Sequence, residues 1–242
     1  LAARWHGAAD GRLRYAFAPR FILSCSDALL RETARMARSR GCMLHTHASE
    51  NPGEIDAVRA ATGKDNIAAL AERDLLGPDV VLAHCVWLTS EEQRLLRTTK
   101  TRVAHCPSTN LKLGSGVAHV PELLEQGISV ALGADGAPCN NRMSQLTEMR
   151  MAALLQKPRC GASAMPAKGV VRLATIEGAR VLGLEQELGS IEPGKKADLV
   201  VLDARRPHLA PFSDPFAMLV YGADASDVRD VFVGGEWLVR DR

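Results

Sequence analysis

The six cysteines form no C-x-x-C pair. Cys25, Cys42, Cys85, Cys106, Cys139 and Cys160 are spread along 242 residues. That usage excludes a disulfide framework and points to reduced thiols in a cytoplasmic protein. Excess charge is also missing. Thirty Lys and Arg against 28 Asp and Glu leave a net charge of +2, without the basic footprint of a nucleic-acid binder. No apolar run approaches the roughly 18 residues of a membrane span, and no secretory hydrophobic region opens the chain. No GxGxxG or P-loop sequence supports a nucleotide-binding sheet. Methionine is absent before Met36 and lysine before Lys64. What is present is ordinary globular composition, 46% hydrophobic and 24% charged.

Short apolar runs alternate with longer helical patterns, the sequence form of repeated strand and helix units. Strands are expected at Arg12 to Ala18, Cys42 to His47, Val80 to His84, Thr101 to His105 and Ile128 to Gly133. Helices are expected from Ser26 to Arg38, from Glu54 to Arg73, after a Thr89-x-x-Glu92 capping box, from Pro121 to Gln126, and through Glu148 to Leu155. His47, His84, His105 and Asp135 fall at or just beyond the ends of successive strands. In a (β/α) barrel such positions converge on one rim, whereas an open doubly wound sheet would lay them out in a row. Barrel is favoured. After Leu184 the character changes: Gly189 to Asp198 is turn-rich, followed by a strand at Leu199 to Leu202 and a hairpin about Gly234-Gly235.

His47-Ala48-Ser49-Glu50 places an imidazole at a strand tip and a carboxylate three residues on. Zinc accepts neutral imidazole and carboxylate ligands. A nearby carboxylate that is not a ligand can shuttle protons for an activated water. His84 can orient that water or the leaving group, and Asp135 can serve as an anionic ligand or base. Each residue alone has a plainer reading as a hydrogen-bonded structural group, and Asp135-Gly136 could be a turn. His45 shares a strand face with His47, so the two could form a metal pair, but His45 is expected to be packed or to support His47. His6, His119 and His208 read as surface or loop residues. The joint order on consecutive strand tips is what points to chemistry.

The blocks His47-Ala48-Ser49-Glu50, Leu82-Ala83-His84-Cys85, His105 to Leu113 and Gly133 to Asn141 resemble the amidohydrolase superfamily. The similar branch is that of adenosine-type and triazine aminohydrolases, which includes methylthioadenosine/S-adenosylhomocysteine deaminases, 5'-deoxyadenosine deaminases and atrazine chlorohydrolase. Gly178 to Leu184 and Gly189 to Asp198 resemble the family's tail. The resemblance implies an α/β fold: a partial (β/α)8 TIM barrel, strands four to eight, over 1–184, then part of a small β-sandwich over 185–242. It implies that His47 and Asp135 hold a metal, that Glu50 protonates a ring nitrogen, and that His84 polarises the attacking hydroxide. Asn110 and Lys112, on the loop after strand seven, could shape the pocket or simply be solvated. Pro19-Arg20-Phe21 is similar to guanine deaminases, in which the arginine meets a purine carbonyl; a surface carboxylate is the other partner open to Arg20.

Relatives with two metals use a carboxylated lysine on strand four, where this chain has Ala18-Pro19-Arg20. One divalent metal is therefore expected, zinc or else ferrous iron. The family also opens its barrel with a His-x-His pair, and nothing before Tyr15 resembles that strand. The expectation is an N-terminally truncated sequence, inactive alone, with unpaired sheet edges. The expected activity is hydrolytic deamination of a purine or related heterocycle, a 5'-substituted adenosine first, by hydroxide held on zinc. Guanine or pterin deamination and triazine hydrolysis are the alternatives, and a catalytically silent chain is the reading of another class. The expected partner is a small heterocyclic substrate, with no nucleic acid or membrane, in a parent that could form a homo-oligomer.

Overall fold

The computed structural model describes residues 1–211 and 213–241. Five strands form one sheet in the spatial order β1 (Ala16–Phe17), β2 (Met43–Ala48), β3 (Val80–His84), β4 (Arg102–His105) and β5 (Val130–Leu132). The first four pair in parallel, with Phe17 beside Leu44, Leu44 beside Val80, and Leu82 beside Val103. A parallel sheet needs crossovers, and helices supply them. β3 is buried at every residue, which is why Val80-Val81-Leu82-Ala83 reads as a continuous apolar run. β2 alternates instead: Leu44, Thr46 and Ala48 are buried while Met43, His45 and His47 are partly open.

Local signals account for the helix boundaries. Ser26 caps the helix Asp27–Ser39 by accepting from the Leu29 amide, and Leu30, Ala34 and Ala37 form its buried stripe. The capping box before the helix Ser90–Thr99 is complete: the Thr89 amide donates to Glu92 Oε2 at 2.9 Å, and the Glu92 amide to Thr89 Oγ1 at 3.2 Å. Glu92 Oε1 also accepts from the Ile67 amide, so the cap ties in the helix Asn66–Ala71.

Three expectations need correction. The first strand is two residues long, because a turn occupies the stretch before it, where Gly7 and Leu13 are hydrogen-bonded. The stretch from Glu54 to Arg73 is two helices, Pro52–Thr62 and Asn66–Ala71. Gly63 ends the first with φ +71°, a left-handed cap that costs glycine little. The segment after β4 is not a loop: Pro107–Lys112 is helical, with proline at the first position, where no amide partner is lost.

The tail forms a second sheet, β6 (Leu199–Leu202), β7 (Val228–Val233) and β8 (Glu236–Val239), antiparallel in that order. Gly234 and Gly235 have φ of +59° and +83°, as a two-residue hairpin turn requires.

The chain divides into two compact units, Leu1–His105 with Leu113–Val130, and Cys106–Lys112 with Ala131–Arg242. Leu30, Leu44, Ile67, Leu70, Leu82 and Leu96 are fully buried in the first; Ala152, Ala153, Val170 and Val220 are buried in the second. Among the described residues no helix is long and apolar enough to cross a membrane.

Candidate active site

In the first unit the tips of β2 and β3 are laced by backbone hydrogen bonds. The Cys85 amide donates to the Ala48 carbonyl, and the Val86 and Trp87 amides donate to Ser49. Ser49, His84 and Cys85 all take positive φ, +52°, +72° and +48°. Three non-glycine residues in that region within one pair of strand ends mark a locally strained rim.

His47 and His84 stack there, ring centroids 5.3 Å apart at 27°. His47 Nδ1 lies 2.7 Å from the Arg20 carbonyl oxygen. A carbonyl only accepts, so this contact places the proton on Nδ1 and leaves the Nε2 lone pair available. The same oxygen accepts from the His47 amide at 3.1 Å and from Thr46 Oγ1 at 3.0 Å. His45 shares the strand face, its ring 6.5 Å from that of His47.

Glu50 sits just beyond. Its amide donates to Glu54 Oε2 at 2.7 Å, while Glu54 Oε1 accepts from Asn66 Nδ2 at 2.5 Å. Glu54 is buried, so the backbone of Glu50 is held from below. The Glu50 carboxylate lies 3.9 Å from His84 Nε2, and Ser115 Oγ donates to its Oε1 at 3.3 Å. The Ser115 carbonyl in turn accepts from Trp87 Nε1 at 2.7 Å.

His105, at the end of β4, is fully buried, and among the described residues neither ring nitrogen has a hydrogen-bond partner. Burial, and then repulsion from His84, push its pKa down from 6.5 to about 4. The folded protein therefore binds this proton more weakly than the unfolded chain does. The stability carried by neutral His105 is complete above pH 6.5, and it falls as pH drops from 6.5 toward 4. Urea midpoints of metal-free protein are expected to decline across that window. The variant His105→Phe should flatten the decline, and an unchanged profile would contradict the assignment.

Arg20 is exposed; its guanidinium lies over the Phe21 ring at 5.8 Å, and no carboxylate among the described residues pairs with it. Its backbone carbonyl, which holds His47, was not foreseen. A carbonyl is common to every residue type, so no letter of the sequence signals it. Ser115 was missed as well. His6 and His208 lie on the surface as expected, His208 Nε2 being 3.0 Å from Asp227 Oδ2. His119 is also exposed.

In the second unit Asp135 has φ +60°, and its Oδ1 accepts from the Gly136 amide at 2.6 Å. Asn110 is buried on the helix Pro107–Lys112 rather than solvated. Lys112 Nζ donates to the Pro138 carbonyl at 2.7 Å and to Asn141 Oδ1. That ammonium is thus engaged in fixing the loop after β5.

Among the described residues no group of three or more His, Cys, Asp or Glu side chains is placed to hold a metal ion. His47 fits a ligand role: a ligating histidine donates its other ring nitrogen to a carbonyl or carboxylate, and His47 does so to Arg20.

Comparison with known proteins agrees with the motifs. The amidohydrolase family model matches residues 1–238. The chain is 45% identical over 240 residues to a 5-methylthioadenosine/S-adenosylhomocysteine deaminase of Moorella thermoacetica, covering 99% of this chain and 56% of that protein. It is 44% identical over 237 residues to a 5'-deoxyadenosine deaminase of Methanothermobacter thermautotrophicus, covering 98% and 55%. The structure of an adenosine deaminase from Xanthomonas campestris with bound zinc superposes with a TM-score of 0.94 at 32% identity, covering 98% of this chain and 54% of that one. The chain spans about half the length of the curated relatives it matches. With that match over nearly its whole length, the chain belongs to the amidohydrolase family.

Proposed function

We propose that the whole protein is a hydrolytic deaminase of a 5'-substituted adenosine. Water adds to the amino-bearing ring carbon, ammonia leaves, and the keto compound remains. The observation that carries this reading is the arrangement at the ends of β2 and β3. His47 has its Nδ1 committed to a carbonyl, and His84 stacks on it with the Glu50 carboxylate 3.9 Å from its Nε2.

His47 and Asp135 are the proposed ligands of one divalent metal, zinc, with Asp135 assigned from its motif. Bound there, such an ion would supply a water activated at neutral pH. Glu50 takes a proton from the attacking water and returns one to the ring nitrogen; Ser115 restricts its carboxylate by donating to Oε1. His84, buried beside it, polarises the nucleophile. Arg20, with no carboxylate partner among the described residues, is available to a purine edge. Asn110 and Lys112 shape the pocket from the helix after β4, Lys112 by holding the Pro138 carbonyl. In this reading the five-stranded sheet represents barrel strands four to eight and the tail part of a β-sandwich, in a cytoplasmic enzyme.

The test is ammonia release by the zinc-loaded whole protein, offered methylthioadenosine, S-adenosylhomocysteine, 5'-deoxyadenosine, guanine and a chlorotriazine. The highest kcat/KM is expected on a 5'-substituted adenosine. Chloride release alone, or no ammonia from any of them, overturns the reading.

A further inference from the structure

Glu148 is wholly buried, in the first turn of the helix Gln145–Leu155. A carboxylate taken from water requires compensation, and both of its oxygens are occupied by neutral donors. The Ser108 amide donates to Oε2 at 3.1 Å, and Asn140 Nδ2 donates to Oε1 at 2.8 Å. The same Asn140 nitrogen donates to the Ala134 carbonyl at 2.8 Å. Asn140 Oδ1 accepts from the Arg142 and Met143 amides at 3.2 and 3.0 Å. One side chain thus fixes both ends of the loop after β5, and Glu148 fixes that side chain.

Asp135 follows Ala134 directly and takes φ +60°. A left-handed aspartate persists only where its surroundings over-determine it. Holding the preceding carbonyl does that from one side. The bond from the Gly136 amide to Oδ1 does it from the other.

We propose that Glu148 is the positioning residue for Asp135, acting through Asn140 and the Ala134 carbonyl. This rests on the reading of Asp135 as a metal ligand. In the neutral variant Glu148→Gln one amide face turns toward the Ser108 amide or toward Asn140, so one of the two donors loses its acceptor. Asn140 is then free to release Ala134, and the carboxylate of Asp135 loses its fixed direction.

The experiment measures zinc affinity of the whole protein by chelator competition, for wild type, Asp135→Ala, Glu148→Gln, Asn140→Ala and the double variant Asp135→Ala/Glu148→Gln. Outer-shell changes of this kind weaken metal binding about 10- to 100-fold. That loss is expected for Glu148→Gln and Asn140→Ala, with no additional loss in the double variant beyond Asp135→Ala. A purely structural role for Glu148 would instead add its effect in the double variant. Asn140→Ala leaves the helix carrying Glu148 untouched and reads the same connection should Glu148→Gln fail to fold. If Asp135→Ala binds zinc like wild type, the ligand assignment fails and this inference with it. If Asp135→Ala loses zinc while both Glu148→Gln and Asn140→Ala retain it, the inference alone is overturned.

Discussion

In the proposed deaminase, the variant Glu50→Gln of the whole protein is expected to lower kcat on a 5'-substituted adenosine by about 10²- to 10⁴-fold, the usual contribution of a positioned proton-transfer group. The substitution isolates that role. Glutamine keeps the length of glutamate, and its carbonyl oxygen can still accept from Ser115 Oγ. The backbone of residue 50 is held by Glu54, itself bonded to Asn66, so the side chain's starting point should not move. What disappears is an oxygen that can take up and return a proton. Zinc content should be unchanged, since Glu50 is not among the proposed ligands, and KM should change far less than kcat. Steady-state kinetics with metal analysis decides it. Activity above a tenth of wild type would remove Glu50 from the chemistry, and loss of zinc would make it a ligand instead.

Much of the candidate site could be proposed from residue types because its parts are side chains with distinctive chemistry. His84 stands at the tip of β3 since an apolar run precedes it, and His47 stands near the end of β2, where buried and open residues alternate. The capping box at Thr89 and the hairpin at Gly234-Gly235 were legible for the same reason: each depends on a side chain, or on glycine, at a fixed offset. The two-residue length of β1 was not, because Arg12 to Ala18 has strand-like composition, and only the turn hydrogen bond between Gly7 and Leu13 removes the early part. The helix at Pro107–Lys112 was hidden by its six-residue length, too short for a 3.6-residue period to repeat convincingly. The support of His47 by a backbone carbonyl 27 residues away leaves no trace in composition. Ser115 reaches Glu50 across 65 residues, and one serine in a Gly-rich stretch looks like any turn residue.

The tail offers a sharper test of packing. Gly189 opens the turn-rich Gly189-Ser190-Ile191-Glu192-Pro193-Gly194 stretch, and Gly194 closes it. Both have left-handed φ, +89° and +92°. They differ in their surroundings. A Cβ on Gly189 would lie 2.7 Å from Ala179 Cβ, 2.7 Å from Ile176 Cα and 3.1 Å from the Thr175 carbonyl oxygen, whereas one on Gly194 would meet nothing within 4 Å. Two of the three obstacles at Gly189 are backbone atoms at the start of the helix Ile176–Val181, which cannot turn aside as a flexible side chain could. Gly194→Ala is therefore expected to cost only the backbone penalty, about 1–2 kcal/mol. Gly189→Ala adds overpacking of about 1–3 kcal/mol, for a total of about 2–5 kcal/mol. Urea unfolding of the two metal-free variants separates the contributions, because the conformational share is common to both. Equal losses would mean that the helix start yields freely to the new methyl group, and that Gly189 is needed for its conformation alone.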